Sequence, residues 1–287
     1  MAIMPPAGVT PILEVQGVNV AFDGFQVLDA LDFSMGRGEL RFLIGPNGAG
    51  KTTLLDIITG KTRPFSGRVI FNGVTSLIGK AESEIVRLGI GRKFQTPSVF
   101  GSLTVMQNLE VTAGFRRGLP GLFRRMPSTL VDRVQATLQE IGLETKRNVP
   151  GAALSHGERQ WLEIGMLLVQ DPQLLLLDEP VAGMTRAERD RTGALLQRVA
   201  RDRSVLVVEH DMAFLRQFGR TVTVLHMGRL LAEGPVDVIQ ADPRVIEVYL
   251  GRGHARERTA GRVDMPQNTN ASAAHTTDKG TGAHAVG

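Results

Sequence analysis

The chain has 287 residues, 42% of them hydrophobic, with no cysteine and a formal net charge of +4. That length and apolar content support one large domain or two modest ones around a buried core, and the absence of thiols excludes disulfides and thiolate metal sites. Five basic residues stand against three acidic ones from Arg252 onward, which accounts for half of the excess charge, so a folded basic face of the kind that binds nucleic acid is not expected.

The opening "MAIMPPAGVTP" lacks the regions of a signal peptide, and no apolar run approaches the ~18 residues that span a bilayer. A cytoplasmic location is therefore expected. From Ile12 to Phe33 two alternating runs broken at "FDGF" predict an antiparallel strand pair turning at Asp23 and Gly24. Glu39 to Ile44 reads as a third strand, followed by "GPNGAGKTTLLDIITG", a helix closing near Gly60, and "GRVIFNG", a strand ending in an Asn-Gly turn.

The pattern becomes helical between about Gln95 and Ile164. Leu130, Val134, Leu138 and Ile141 recur at three- and four-residue spacing behind Ser128, a predicted N-cap, and Gly142 ends the run. In "ALSHGERQWLEIG", Ser155 and Glu158 form a capping-box pattern ahead of Trp161, Leu162 and Ile164. "QLLLLDEP" reads as a strand buried on both faces, and Thr185 with Glu188 opens a helix leading to the strand "SVLVVEHD". Strand, helix, strand implies parallel pairing. Two short strands around "VTVLHMGRLLAEG" and a helix to about Leu250 complete the fold. The prediction is an α/β phosphate-loop NTPase fold with a mixed or parallel sheet core over residues 12–250, with an N-terminal antiparallel β subdomain and a helical insertion at about 95–165. The tail 252–287 is poor in large apolar residues and is expected to be disordered.

"GPNGAGKT" fits the pattern G-x-x-x-x-G-K-[ST] between a strand and a helix. Gly45, Pro46, Asn47, Gly48, Ala49 and Gly50 would turn backbone N–H groups onto phosphates, with Thr53 continuing the helix start. Lys51 would reach the β- and γ-phosphates, and Thr52 would offer a hydroxyl to Mg2+. Asp178, at a buried strand's carboxyl end, suits a Mg2+ ligand, direct or through water. Glu179, one residue on, suits a general base for water. On spacing alone His210 is either a γ-phosphate contact or a structural residue. Phe22 either stacks on an adenine ring or packs in the core.

Phosphate loop, Gln95, "LSHGE", "LLLLDEP" and His210, in this order and spacing, resemble the ATP-binding cassette ATPases over about Ile12 to Leu250. The resemblance implies ATP and Mg2+, Phe22 as the adenine-stacking aromatic, and Gln95 as the glutamine that senses Mg2+ and the transport partner. It further implies Glu179 as catalytic base and His210 as the switch histidine. Ser155 to Gly157 would face the γ-phosphate held by a second ATPase subunit in a head-to-tail dimer, either a paralogue or a second copy. Three positions depart from the family pattern: His156 for a glycine, Glu158 for a glutamine, and Thr185 for an aspartate.

The resemblance also implies two separate transmembrane permease subunits, an extracytoplasmic solute-binding protein acting indirectly, and a peripheral place on the cytoplasmic membrane face. The C-terminal half looks like the branched-chain amino acid and amide importers. Within that group "GRKFQTPSVFGSLTVMQNLEV", "LSHGERQWLEIGML" and "LLLLDEPVAGMT" are most similar to the urea and short-chain amide branch. Thr96 to Leu109, with Phe100 and Leu103 expected to be exposed, is either a permease-docking groove or helical core. "FRRGLPGLFRR" is either a lipid-facing stretch or a solvated loop. A DNA-repair or translation ATPase and a small-molecule kinase are the rival classes. The first generally carries two cassettes or long coiled coils, which are not visible here, and the second leaves "LSHGE" and Gln95 without a role.

Overall fold

A computed structural model describes residues 10–93, 99–114 and 127–249. The stretch Phe94 to Ser98, the basic stretch "FRRGLPGLFRR" and the tail from residue 250 lie outside the described residues.

Strands β1 (Leu13–Phe22) and β2 (Phe25–Met35) form the expected antiparallel pair, turning at Asp23 and Gly24, both at positive φ. They combine with β4 (Ser66–Phe71) and β5 (Thr75–Ser76) into a four-stranded sheet in the order β2-β1-β4-β5. Asn72 (φ 55°) and Gly73 (φ 74°) make the tight turn that their sequence demands.

The second sheet holds β3 (Leu40–Ile44), β6 (Ile90–Lys93), β7 (Leu174–Asp178), β8 (Ser204–Val208), β9 (Thr221–His226) and β10 (Arg229–Pro235) in the order β10-β9-β3-β8-β7-β6. It is parallel except for β10, which returns antiparallel from β9. Strands β7 and β8 are nearly continuous apolar runs because both faces are covered. Leu175, Leu177, Val205 and Val207 enter the core shared with the helices, and Leu174, Leu176, Leu206 and Val208 enter the core shared with the antiparallel sheet.

Helix α1 (Lys51–Ile58) lies in that second core through Leu54, Leu55, Ile57 and Ile58, and α2 (Glu82–Leu88) joins it through Ile85. The helical insertion comprises α3 (Val105–Gly114), α4 (Ser128–Ile141) and α5 (His156–Leu168), which pack on one another. The apolar stripe of α4 is buried as its spacing predicts, and Gly142 caps it at φ 66°. Its N-cap, however, is Pro127 rather than Ser128, which sits inside the first turn and makes no capping bond. The proline's extended backbone sets the helix entry, so a side-chain cap is not required for the chain to turn.

Helix α6 (Arg186–Val199) opens with the Thr185/Glu188 capping box and connects β7 to its parallel neighbour β8. Helices α7 (Met212–Phe218) and α8 (Val236–Ala241) follow, with a further helical stretch at 243–249 in place of one continuous terminal helix. Strand β6 went unread in the sequence. "IGRK" ends in two long cations and has no alternation, yet Arg92 and Lys93 are both buried and β6 is the parallel edge partner of β7.

Candidate functional site

Strands β3, β8 and β7 are neighbours, and Leu43, Val208 and Asp178 stand in register across them. The loops leaving their carboxyl ends therefore emerge side by side, at the edge where open parallel sheets bind ligands.

The loop after β3 is Gly45 to Gly50, and Gly50 (φ 100°) is the N-cap of α1, with no side-chain cap. The first-turn N–H groups of Lys51, Thr52 and Thr53 have no intrahelical acceptor, and the helix dipole places partial positive charge there. This is an anion seat. A Cβ at Gly45 would lie 2.2 Å from the Leu225 carbonyl, and one at Gly50 would lie 2.4 Å from Leu28 Cδ2, so only glycine lets the loop fold this tightly. Pro46 is half-buried, Asn47 and Gly48 are exposed, and Ala49 is buried, its N–H donating to the Pro46 carbonyl at 3.1 Å. Lys51 curls over the loop, its Nζ donating to the carbonyls of Gly45 (2.8 Å) and Pro46 (3.1 Å). Burial lowers its pKa, against the opposing pull of Asp178 and Glu179. Thr52 is exposed beside it.

Asp178 ends β7 only 4% exposed, and its Oδ2 is buried without a hydrogen-bond partner. Burial raises its pKa, offset first by Arg92, with Glu179 adding to the rise and Lys51 and Lys93 opposing it. Such an orphaned acceptor is costly unless something cationic or protic meets it.

Glu179 follows in the left-handed region (φ 47°), its N–H donating to the Val208 carbonyl at 3.0 Å. For a non-glycine residue this conformation costs about 1–2 kcal/mol. Its side chain is 43% exposed, and Oε1 lies 3.4 Å from Nδ1 of the exposed His210. The carboxylate, the imidazole and the phosphate loop thus share one solvent-facing edge. Asp211 then caps α7, accepting from the N–H groups of Ala213 (2.9 Å) and Phe214 (3.0 Å), and is held by Arg189 of α6.

Phe22 is 48% exposed at the tip of β1, which removes it from the core. Phe25, paired with it across the turn, is 79% exposed and went unread because it falls in the turn sequence itself. Gln95 lies outside the described residues.

Ser155 caps α5 as expected: its Oγ accepts from Glu158 N–H (3.2 Å) and its N–H donates to Glu158 Oε2 (3.1 Å). Glu158 carries no free charge, because Lys146 Nζ lies 2.6 Å from its Oε1. His156 does not simply point to solvent. Its Nε2 lies 3.0 Å from the Ala182 carbonyl, in the loop between β7 and α6. Gly157 is buried, and a Cβ there would lie 2.2 Å from Oε1 of Glu188, the carboxylate of the Thr185 capping box. Trp161 Nε1 donates to Thr192 Oγ1 (2.9 Å), and Arg191 stacks 4.0 Å over the Trp161 ring. The start of α5 is therefore braced against α6 and its approach loop, and Ser155 is exposed.

A groove of about 330 Å³ runs between α2, β6 and the helical insertion, with Ile85, Val86, Phe100, Val111, Met166 and Leu167 among its apolar walls. Lys93 and Glu163, each 6% exposed, pair at 3.6 Å beside it. Phe100 is 49% exposed as expected. Leu103 is half-buried instead, its carbonyl taking the Gly151 N–H (2.8 Å).

Comparison with known proteins gives these features a context. The family described as ABC transporter matches residues 28–182. The chain belongs to the ATP-binding cassette transporter family. The matched span runs from within β2 through the phosphate loop and α5 to the loop that follows Asp178 and Glu179. The C-terminal family described as branched-chain amino acid ATP-binding cassette transporter matches residues 229–255. The chain is 33% identical over 251 residues to the high-affinity branched-chain amino acid transport ATP-binding protein LivG of Escherichia coli K12, covering 84% of this chain and 98% of that one. It is 32% identical over 251 residues to BraF of Pseudomonas aeruginosa, with the same coverage. Among solved structures, the ADP conformation of MJ1267, an ATP-binding cassette of an ABC transporter, matches with a TM-score of 0.75 at 28% identity. The match covers 84% of this chain and 99% of that one. CbiO1 of Clostridium perfringens, part of the complex cbiONQ, gives 0.72 at 28%, covering 86% and 99%. As an ABC ATPase the chain binds ATP and hydrolyses it to power transport. No helix among the described residues is long and apolar enough to cross a membrane. The urea and short-chain amide resemblance finds no support in these relatives, whose names point to branched-chain amino acids.

Proposed function

We propose that the chain is the ATP-hydrolysing subunit of an importer for branched-chain amino acids, with Glu179 as its general base. The observation that carries the catalytic part is the convergence of the phosphate loop, Asp178, Glu179 and His210 on adjacent strand ends. The cargo class rests on the relatives' names and on the family match at 229–255. The urea reading rests on the similarity of "GRKFQTPSVFGSLTVMQNLEV", "LSHGERQWLEIGML" and "LLLLDEPVAGMT" alone.

In this reading ATP seats its phosphates on Gly45 to Thr53, with Lys51 released from the loop carbonyls to the β- and γ-phosphates and Phe22 against the adenine. Thr52 and Asp178 would hold Mg2+, and the orphaned Oδ2 of Asp178 fits that role. Among the described residues no group of three His, Asp or Glu forms a protein-only metal cage, in keeping with an ion shared with phosphates. Bound there, Mg2+ would neutralise charge on the transferring phosphoryl group. Glu179 takes the proton of the attacking water. His210, 3.4 Å away, orients that carboxylate and reaches toward the γ-phosphate. Gln95 is assigned to Mg2+ and partner sensing by resemblance. Ser155 and Gly157 are assigned by resemblance to the nucleotide of a second ATPase subunit, and the exposure of Ser155 at the start of α5 is compatible with that. The groove beside Phe100 receives a permease helix.

Replacing the base tests this. Glu179→Gln is expected to slow hydrolysis by roughly 10²–10⁴ with ATP binding retained. Near-native turnover would remove Glu179 from the role. Cargo is read separately, by whether leucine or urea uptake is lost when the chain is deleted from cells that produce it.

A further inference from the structure

Glu209, between Val208 and His210, has no part in the mechanism above, yet it touches all three site-bearing strands. It is 2% exposed. Its N–H donates to the carbonyl of Leu43, two residues before the phosphate loop (3.3 Å). Its Oε1 accepts the N–H of Val181, two residues after Glu179 (3.3 Å), and its Oε2 accepts the N–H of His210 (3.2 Å). One carboxylate thereby spans the loop that carries Glu179 and the loop that carries His210. Glu179 needs such restraint. Its backbone is left-handed, a conformation that persists only when the surroundings over-determine it. Its N–H donates to the Val208 carbonyl, its carbonyl accepts the Ala182 N–H (3.2 Å), and Glu209 holds the chain two residues further on.

We infer that Glu209 is a positioning residue for hydrolysis: by tying the Val181 and His210 N–H groups together it fixes the 3.4 Å approach of His210 to Glu179. An apolar side chain at 209 would leave the buried Val181 N–H without this acceptor and release the His210 N–H, and the two loops would no longer be tied together. Displacing a catalytic group by about 1 Å costs roughly 10²-fold in rate. This inference rests on Glu179 being the base.

The test uses steady-state ATP hydrolysis by the assembled transporter that contains the full 287-residue chain. Glu209→Ala is expected to lower kcat by roughly ten- to hundredfold with KM for ATP within about twofold. Glu209→Gln keeps the shape and one acceptor oxygen, and is expected to recover most of that rate, to within roughly three- to tenfold of the parent. It carries the comparison if the alanine variant does not fold. In a Glu179→Gln background, Glu209→Ala should change the residual rate by less than about twofold. An equal loss in both backgrounds, a rise in KM with kcat unchanged, or Glu209→Gln matching the parent would overturn the inference. Near-native turnover by Glu179→Gln alone would instead sink the reading beneath it, and that result is read before any change at 209.

Discussion

The left-handed backbone of Glu179 (φ 47°) allows stability and activity to be separated at one position. Glu179→Ala and Glu179→Gly both remove the carboxylate, with its half-exposed side chain and its 3.4 Å approach to His210. Whatever those groups contribute to stability cancels between the two variants. What remains is the backbone. A Cβ in this region costs about 1–2 kcal/mol. Glycine avoids that cost but gives up about 0.4–1 kcal/mol through its greater freedom when unfolded. The difference favours glycine by about 0.5–1 kcal/mol, opposite in sign to the ordinary preference for alanine. For a domain of this size that is roughly 1–4 °C in Tm. Thermal unfolding of the two variants without nucleotide measures it, and ATP hydrolysis should be lost in both. An alanine variant equal to or more stable than the glycine one would show that Glu179 is not held in this conformation, and the restraint argument for its loops would fail.

Gly193→Ala should destabilise the chain by about 1 kcal/mol, because the new methyl carbon would lie 2.4 Å from three ring atoms of Phe218; overpacking of about 1–3 kcal/mol outweighs a gain in helix propensity of about 1. Urea unfolding checks it, and an unchanged midpoint would mean that α6 and α7 are not packed this closely. Asp211→Ala should cost about 1 kcal/mol at pH 7 by uncapping α7. Backbone donation from Phe214 and the Arg189 guanidinium hold this carboxyl below the usual aspartate range. Its folded-state value is depressed, so the stability that it lends is complete above the ordinary aspartate value and is lost as pH falls through the lowered one. The gap between parent and variant should therefore narrow only in acid, and a gap that widens there would contradict the assignment.

The strands and phosphate loop were legible because each is dictated locally. The double-sided burial of "LLLL" follows from a parallel sheet covered on both faces, and Ser155/Glu158 and Thr185/Glu188 announce their helices within four residues. Strand β6 was not legible, since Arg92 and Lys93 look solvated in sequence and are buried only because partners from distant segments reach them: Asp56 of α1 pairs with Arg92, and Glu163 of α5 with Lys93. Ser128 was misread because a proline before a helix sets the chain direction without needing a cap. Glu209 was passed over as a neighbour of His210. Its role as an acceptor for two loops depends on Val181, 28 residues away, and no local pattern carries that. Likewise His156 reads as a departure from a glycine, whereas its contact with Ala182 exists only once α5 lies against the loop after β7.

The most direct test of the account is whether Ser155 serves a nucleotide that its own phosphate loop does not hold. ATP affinity and turnover of Ser155→Arg, measured side by side, should show binding to the isolated chain within about twofold of the parent and turnover abolished in the assembled transporter. An equal loss of affinity in the isolated chain would place Ser155 at its own nucleotide and contradict the shared site.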